Sequence, residues 1–143
     1  NGASLLDDDS VVDGEKYLAN GAVIIATKEK RVLVYVNGAA IALNGANYSV
    51  EDLNGALIKA EPKGEYKVYP NHVKIDSSML ENLPDDFTVI AGNSIDFEDD
   101  VTVNRLKEKR ISFIAGNSLL CRREIYGYVS ANSQVGNTVK IKE

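Results

Sequence analysis

An asparagine returns at nearly regular intervals along this chain, each time at the start of an alternating pair of apolar residues. The pattern is Asn, any residue, an apolar residue, any residue and a second apolar residue, and it begins at Asn1, Asn20, Asn37, Asn54, Asn71, Asn93, Asn117 and Asn137. The intervals are 19 residues, then 17 three times, and then 22, 24 and 20. Such self-similarity is the signature of a repeat architecture, in which one small unit stacks on the next.

Each repeat has the composition of a turn followed by a strand. Asn tolerates the left-handed backbone conformation, and Gly, which follows it in the first repeats, adopts positive φ at no steric cost. After Asn93, the apolar Ile95 and Phe97 alternate with the acidic Asp96 and Glu98. This period of two is typical of a strand that buries one face, so a short strand is predicted after each asparagine.

Further strand-like runs precede several of the asparagines. They read RVLVYV before Asn37, YKVY before Asn71, FTVIAG before Asn93, ISFIAG before Asn117 and IYGYV before Asn137. A coil of one turn and two or three short strands cannot bury its own apolar face, whereas stacked coils build one continuous core. The sequence therefore predicts an all-β fold, a parallel β-solenoid with coils of 17–24 residues. We expect the side chains of Asn20 to Asn137 to form one hydrogen-bonded ladder along the stack.

In this turn-and-strand pattern the chain resembles the parallel β-helix repeat proteins, and its short coils resemble bactofilin-type polymer-forming modules. The resemblance extends over most of the chain. It implies a stacked structural scaffold and assigns no catalytic, cofactor-binding or metal-binding residue.

An antiparallel β-sandwich or barrel is the alternative fold. Asn-Gly is also a preferred two-residue turn of β-hairpins, which would join VLVYV directly to AAIAL across Asn37 and Gly38. Such a fold does not require 17-residue units to repeat in phase.

Two segments depart from the repeat and predict one or two short helical turns. Ser49 and Asp52 have the spacing of a reduced capping box. Ser77 or Ser78 can begin a second turn, which Pro84 would end. The chain is expected to be a single domain, 1–143, with a regular half, 1–84, and a longer-coiled half, 85–143.

Charge and cysteine content restrict the class of partner. The net charge of −5 disfavours nucleic acid and anionic membranes. No apolar run approaches the ~20 residues needed to span a bilayer. Cys121 is the only cysteine, which excludes a disulfide framework within the chain. It favours a reducing, cytoplasmic compartment, although a one-cysteine bacterial surface protein also fits.

The candidates for catalytic chemistry are few. His72 is the only histidine, so any catalytic triad or Cys–His pair would have to use it. It occupies the repeat position that elsewhere holds Gly, Ser or Thr, which predicts an exposed turn residue. Cys121 is at a core-facing position equivalent to Phe97 and Ile141 and is expected to be a small buried hydrophobe. We therefore expect no catalytic residue and no cofactor.

Charged residues also cluster at several places. The acidic groups are Asp7-Asp8-Asp9, Asp85-Asp86 and Glu98-Asp99-Asp100, and the basic run contains Arg105, Lys107, Lys109 and Arg110. None of the acidic groups has the glycine-containing alternation of a calcium loop, so solvated turn charges and no metal site are expected. The basic run is interleaved with Glu108 and lacks aromatic partners for base stacking, which predicts a solvated face.

These observations favour a non-catalytic structural or interaction module. Its partner would be a protein, including a second copy of the chain joined through the solenoid ends. A carbohydrate- or ligand-binding β-domain is one alternative, with tyrosines such as Tyr35 and Tyr69 two residues before a repeat asparagine. A β-helix enzyme is the other, and it would require a cluster of outward-facing carboxylates on one strand stack.

Overall fold

The computed structural model describes residues 2–142, which form a mostly β structure with three parallel sheets and short helices. The strands are β1 (Gly2–Leu6), β2 (Lys16–Ile25), β3 (Val32–Leu43), β4 (Tyr48–Ala60), β5 (Tyr66–Tyr69), β6 (His72–Ile75), β7 (Thr88–Ala91), β8 (Ser94–Phe97), β9 (Ser112–Ala115), β10 (Ser118–Arg122), β11 (Ser133–Val135) and β12 (Thr138–Lys142). The helices are α1 (Ser77–Glu81), α2 (Val103–Lys109) and α3 (Arg123–Ala131). Every strand pair within residues 2–142 is parallel, so the antiparallel alternative does not describe these sheets.

Residues 2–60, here called the first stack, form one four-stranded sheet in the order β1-β2-β3-β4. Asn-Gly lies inside its long strands and joins no hairpin, and Gly21, Gly38 and Gly55 align across the sheet. Gly38 has a φ of 138°, and a Cβ there would lie 2.0 Å from the carbonyl oxygen of Gly21. Only glycine therefore fits where β3 meets β2 at this position.

The segments on both sides of each Asn-Gly line the core of the first stack. In β3, Val34 and Val36 come before the turn and Ala40 after it, and all three are buried in one cluster. Ile24 and Ile41 face the other way, into a second cluster between the two halves of the molecule. In β2 and β3, the part that follows Asn-Gly is therefore buried on both faces, whereas Lys59 in the corresponding part of β4 is exposed.

Residues 66–142, here called the second stack, repeat a unit of strand, turn, strand and helix. Their first strands form the sheet β5-β7-β9-β11, and their second strands form the sheet β6-β8-β10-β12. The pairing is in register, with Val89 beside Phe113 and Ser94 beside Ser118. Phe97 and Phe113 meet edge to face at 4.9 Å inside this stack, an arrangement that aromatic rings favour.

One of the two predicted helical turns is present, with a different cap. Helix α1 begins after Asp76, whose carboxylate accepts a hydrogen bond from the Met79 N–H, so neither Ser77 nor Ser78 is the N-cap. The turn predicted at Ser49 is wrong. That segment belongs to β4 and contains a β-bulge opposite Val34, because pairing with β3 outweighs the local capping preference.

The IYGYV run before Asn137 was predicted as a strand, and this prediction is wrong. It lies in α3, where Ile125 and Val129 are buried one helical turn apart and Gly127 faces solvent. The strand that precedes Asn137 is the short β11. Aromatic and β-branched residues made this amphipathic helix resemble a strand in the sequence.

The two stacks lie side by side and are joined by residues 61–65. Ala22 lies against Gly92, Ala39 against Gly116 and Ala56 against Gly136, so successive strands of the two stacks are matched level by level and follow the same order. Ile24, Ile41 and Ile58 pack with Ile90 and Ile114 across the boundary. The strand pattern thus changes at residues 61–65, from one sheet of four strands to two sheets of short strands.

Candidate functional site

The repeat asparagines lie in two rows, one on each stack, and not in one continuous ladder. On the first stack, Asn37 Nδ2 donates to Asn20 Oδ1 at 3.3 Å, and Asn54 Nδ2 donates to Asn37 Oδ1 at 3.2 Å. All three side chains lie at the exposed surface, at the same register position of neighbouring strands. Each amide therefore satisfies the next along the stack, as in the side-chain ladders of cross-β structures.

The second row runs along the second stack. Asn93 Nδ2 donates to Asn71 Oδ1 at 3.3 Å, and Asn137 Nδ2 donates to Asn117 Oδ1 at 3.2 Å. Between these two pairs, the backbone N–H of Asn117 donates to the carbonyl of Asn93 at 2.8 Å. The asparagines thus fix the register of both stacks.

A shallow groove of about 360 Å³ separates the two rows. Its lining consists of small residues and of amides from the second row: Gly21, Ala22, Gly38, Ala39, Gly55, Ala56, Asn93, Gly116, Asn117, Gly136 and Asn137. The small residues are those through which the stacks approach each other, because a Cβ on Gly116 would lie 3.1 Å from Ala39 Cβ. Close packing of the stacks accounts for this lining.

The acidic group at residues 7–9 was expected to be solvated, but Asp8 is a structural residue. Its carboxylate accepts hydrogen bonds from the Thr27 hydroxyl at 2.7 Å and from the backbone N–H groups of Lys28, Glu29 and Lys30 at 3.0–3.1 Å. The Thr27 hydrogen bond, followed by those of Lys28 and Lys30, holds the pKa of Asp8 far below its usual range. Asp8 therefore anchors the loop that returns the chain from β2 to β3.

The basic run is expected to be a solvated face, and two of its arginines, which remain partly exposed, also form ion pairs with the preceding repeat unit. Arg105 Nε donates to Glu81 Oε1 at 2.7 Å, and Arg110 Nε donates to Asp86 Oδ1 at 2.6 Å, each acid lying 24 residues earlier. These hydrogen bonds lower the pKa of Glu81 and of Asp86 and raise that of each arginine. Arg105 on α2 and Arg110 directly after it therefore link neighbouring repeat units on the outside of the second stack.

The remaining acidic group contributes to a helix end and to ion pairs. Asp100 accepts hydrogen bonds from the backbone N–H and the hydroxyl of Ser77, at 3.1 and 2.9 Å. Asp99 lies 3.8 Å from Arg122, and Glu98 lies 3.9 Å from Lys74. Among the described residues, no three potential ligands are grouped so as to hold a metal ion.

The two candidate nucleophilic or basic residues are separated. His72 is exposed at the start of β6, whereas Cys121 is buried on β10, and β8 lies between these strands. The predicted burial of Cys121 is confirmed, and desolvation raises the pKa of its thiol. The geometry does not form a Cys–His pair.

Most of the tyrosines pack against the two cores. Tyr17 and Tyr48 contact the first-stack core, and Tyr69, Tyr126 and Tyr128 contact that of the second stack. Tyr35 is on β3 of the first stack and Tyr69 is on β5 of the second stack, so these two tyrosines belong to different sheets.

A wider groove, of about 850 Å³, lies beside the crossover segment at residues 61–64. Arg110 and Tyr128 line it, but Arg110 is paired with Asp86 and the Tyr128 hydroxyl donates to the carbonyl of Ile111 at 2.8 Å. Ser133 also lines it, and its buried Oγ has no hydrogen-bond partner among the described residues. The sequence contained no signal for this groove, because it depends on the path of the crossover.

The end of the molecule formed by β4, β11 and β12 presents unpaired sheet edges. Each of these strands is the last of its sheet among residues 2–142, so one side of its backbone has no strand partner. Leu53 shares the core-facing register position of Val36, yet it is 39% exposed whereas Val36 is 3% exposed. Val135 and Val139, on the second stack, are likewise only partly buried. Residues 2–142 therefore leave both cores only partly covered at this end.

Comparisons with known proteins provide no family assignment. No protein-family model matches this chain, and no curated protein and no solved structure is significantly similar to it. Within residues 2–142, no helix combines the length and the apolar character needed to cross a bilayer.

Proposed function

We propose that this chain is a non-catalytic structural or interaction module that binds other protein subunits, including copies of itself, through its ends. We further propose that its stacks are the coils of a parallel β-solenoid, related in kind to polymer-forming modules. Parallel, in-register pairing at the 17-residue interval supports this architecture. The open end formed by β4, β11 and β12 is the observation that carries the functional proposal.

An open end of this kind stabilises a complex in two ways. The unpaired N–H and C=O groups of the edge strands can each gain a partner, and the core-facing side chains above them lose contact with water. Leu53 is the most exposed apolar side chain on β4. Burying it against a partner contributes in proportion to the apolar area removed from water.

Two features of β4 limit indiscriminate pairing. A β-bulge at Glu51 disrupts the regular ladder, and Lys59 places an exposed charge at the register position of the buried Ala42. Bulges and inward-pointing charges are devices by which natural sheets avoid uncontrolled edge association. We therefore expect specific, concentration-dependent association and no amyloid-like aggregation.

The test is the mass of the chain in solution as a function of concentration, by sedimentation velocity or light scattering. The average mass should rise reversibly with concentration. Leu53→Lys should suppress this rise, because it places a charge on the core-facing side of the open end. Leu33→Lys, on the internal strand β3 where Leu33 is half-exposed, is the matched control and should associate like the parent. A strictly monomeric chain at the highest soluble concentration would remove the proposal.

A further inference from the structure

The two ends of the molecule are built from corresponding strands. Among residues 2–142, one end consists of β4, β11 and β12, and the opposite edges of the same three sheets are β1, β5 and β6. The level-by-level match of the stacks, from Ala22 with Gly92 to Ala56 with Gly136, keeps the coils of both stacks aligned up to the open end. If the first stack of a second copy pairs with β4, the second stack of that copy therefore lies next to β11 and β12 at the same strand spacing.

From this correspondence we propose that the partner of the open end is the opposite end of a second copy, joined head to tail in the register used inside the molecule. This inference rests on the proposed function and names its partner. In this arrangement residues 55–59 of β4 pair with residues 2–6 of the next copy, β11 pairs with β5, and β12 pairs with β6. Leu53 lies two residues before this ladder, at the margin of the junction. The interface is heterologous, so its repetition produces a linear filament unless it closes into a ring.

Extending the internal register identifies the residues that meet at the junction. Inside the second stack, Val73, Ile95, Leu119 and Val139 occupy successive positions of one core-facing column. The junction places Val139 beside Val73 of the next copy, which continues the column with the same residue type. On the first stack, the column of Ser4, Val23, Ala40 and Leu57 continues when Leu57 meets Ser4 of the next copy.

The same register brings two like charges together. Lys74, Asp96, Leu120 and Lys140 occupy one outward-facing column of the second stack, so the junction places Lys140 beside Lys74 of the next copy. Both lysines are exposed, and Lys74 lies 3.9 Å from Glu98. Like charges directly opposite each other weaken strand pairing, and salt screens their repulsion. Association should therefore be stronger at high ionic strength.

A charge-reversal series tests this register. Lys140→Glu converts the facing pair into opposite charges and should raise the association constant roughly 3- to 10-fold at low salt. Adding Lys74→Glu restores a like-charged pair and should reverse the gain. Lys107→Glu, on the exposed side of α2 away from both ends, changes the net charge equally and is the control. It should leave the association constant near that of the parent.

Cross-linking gives a second, independent readout on the first stack. A chain carrying Ser4→Cys mixed with a chain carrying Leu57→Cys should form disulfide-linked dimers, whereas either chain alone should not. The native Cys121 is buried and should not contribute in the folded state.

The outcomes separate this inference from the functional proposal on which it rests. A gain with Lys140→Glu, its reversal in the double variant and cross-links only in the mixture would support the head-to-tail register. Self-association that is insensitive to Lys140→Glu, or that yields no cross-link in the mixture, would overturn the register and leave the functional proposal standing. A monomer under all conditions would overturn both.

Discussion

Replacing Gly116 by alanine tests the closest approach between coils and between stacks. A Cβ at this position would lie 2.0 Å from the carbonyl oxygen of Gly92, in the preceding coil, and 3.1 Å from Ala39 Cβ, in the other stack. The distance to the Gly92 carbonyl oxygen is much shorter than a van der Waals contact. Because that oxygen belongs to the backbone, the main chain itself must move to accommodate the methyl group. Overpacking of this kind costs about 1–3 kcal/mol, and we place Gly116→Ala near the upper end, at about 3 kcal/mol.

Gly127→Ala is the matched control, because it makes the same chemical change where there is space. A Cβ at Gly127 meets no atom within 4 Å, and the residue is on the exposed face of α3. Alanine in a helix interior is more favourable than glycine by about 0.5–1 kcal/mol. This variant should therefore be more stable than the parent, so the two substitutions should have opposite signs.

The assay is urea unfolding followed by far-UV circular dichroism, with thermal melts in parallel. At about 2–4 °C per kcal/mol for a domain of this size, Gly116→Ala should lower Tm by about 6–12 °C and Gly127→Ala should raise it by a few degrees. The urea m-value should stay constant, since a changed slope would mean that the amount of surface exposed on unfolding had changed. If Gly116→Ala is as stable as the parent within about 0.5 kcal/mol, the Gly92 carbonyl and Ala39 do not lie as close to Gly116 as these distances require.

Adding Ala39→Gly to Gly116→Ala separates the two clashes. This second change removes the contact between stacks and leaves the carbonyl of Gly92 in place, so we expect only partial recovery of stability. Full recovery would show that the contact between stacks, and not the contact between coils, sets the cost.

Two further predictions concern hydrogen bonds that hold the first stack. Asp8→Asn should destabilise the fold, because an amide cannot accept all the hydrogen bonds that Thr27 and the backbone of Lys28 donate. The pKa of Asp8 is lower in the folded state than in the unfolded chain, where it is near 4. The carboxylate therefore contributes fully to the free energy of unfolding above about pH 4, and this contribution is lost as the pH falls toward the folded-state pKa. Denaturation measured at successively lower pH should show a shrinking difference in stability between parent and variant. Asn37→Ala should lower the free energy of unfolding by about 1 kcal/mol and more than Asn54→Ala does, since Asn37 both donates and accepts along its row. If chemical denaturation gives the same loss of stability for both variants, the second hydrogen bond of Asn37 does not contribute to stability.

The sequence predicted the repeating unit well, because that unit depends on local chemistry. Asn-Gly followed by alternating apolar residues predicts a positive φ at the glycine and a strand with one buried face. The structure has the positive φ and the strand at Asn20 and Asn37, but both faces of the strand are buried, with Val23 in one core cluster and Ile24 in the other. The sequence could not predict that the repeat asparagines divide into two rows, one on each stack. The interval from Asn54 to Asn71 is again 17 residues, although the chain leaves the first stack and crosses to the second within it. An interval between repeat asparagines gives only the number of residues, and it does not show in which direction the chain runs between them.

The features missed at the candidate site depend on long-range partners. Asp8 resembles any other acidic turn residue until the return loop places three backbone N–H groups around it. Arg105 and Arg110 find their acids only once the coils are stacked. The open end is likewise a property of sheet order, which decides which strand is last.

The side-by-side arrangement of the stacks has a consequence for synthesis on the ribosome. Ala22 meets Gly92 only after seventy more residues have been made, and Ile24 and Ile41 pack with Ile90 and Ile114. At a translation rate of about 5–20 residues per second, this apolar sheet face is uncovered for roughly 4–14 seconds. During that interval the nascent first stack is a target for chaperones and for neighbouring nascent chains on the same polysome. The crossover at residues 61–65 thus determines not only the final fold but also how long the growing chain is vulnerable.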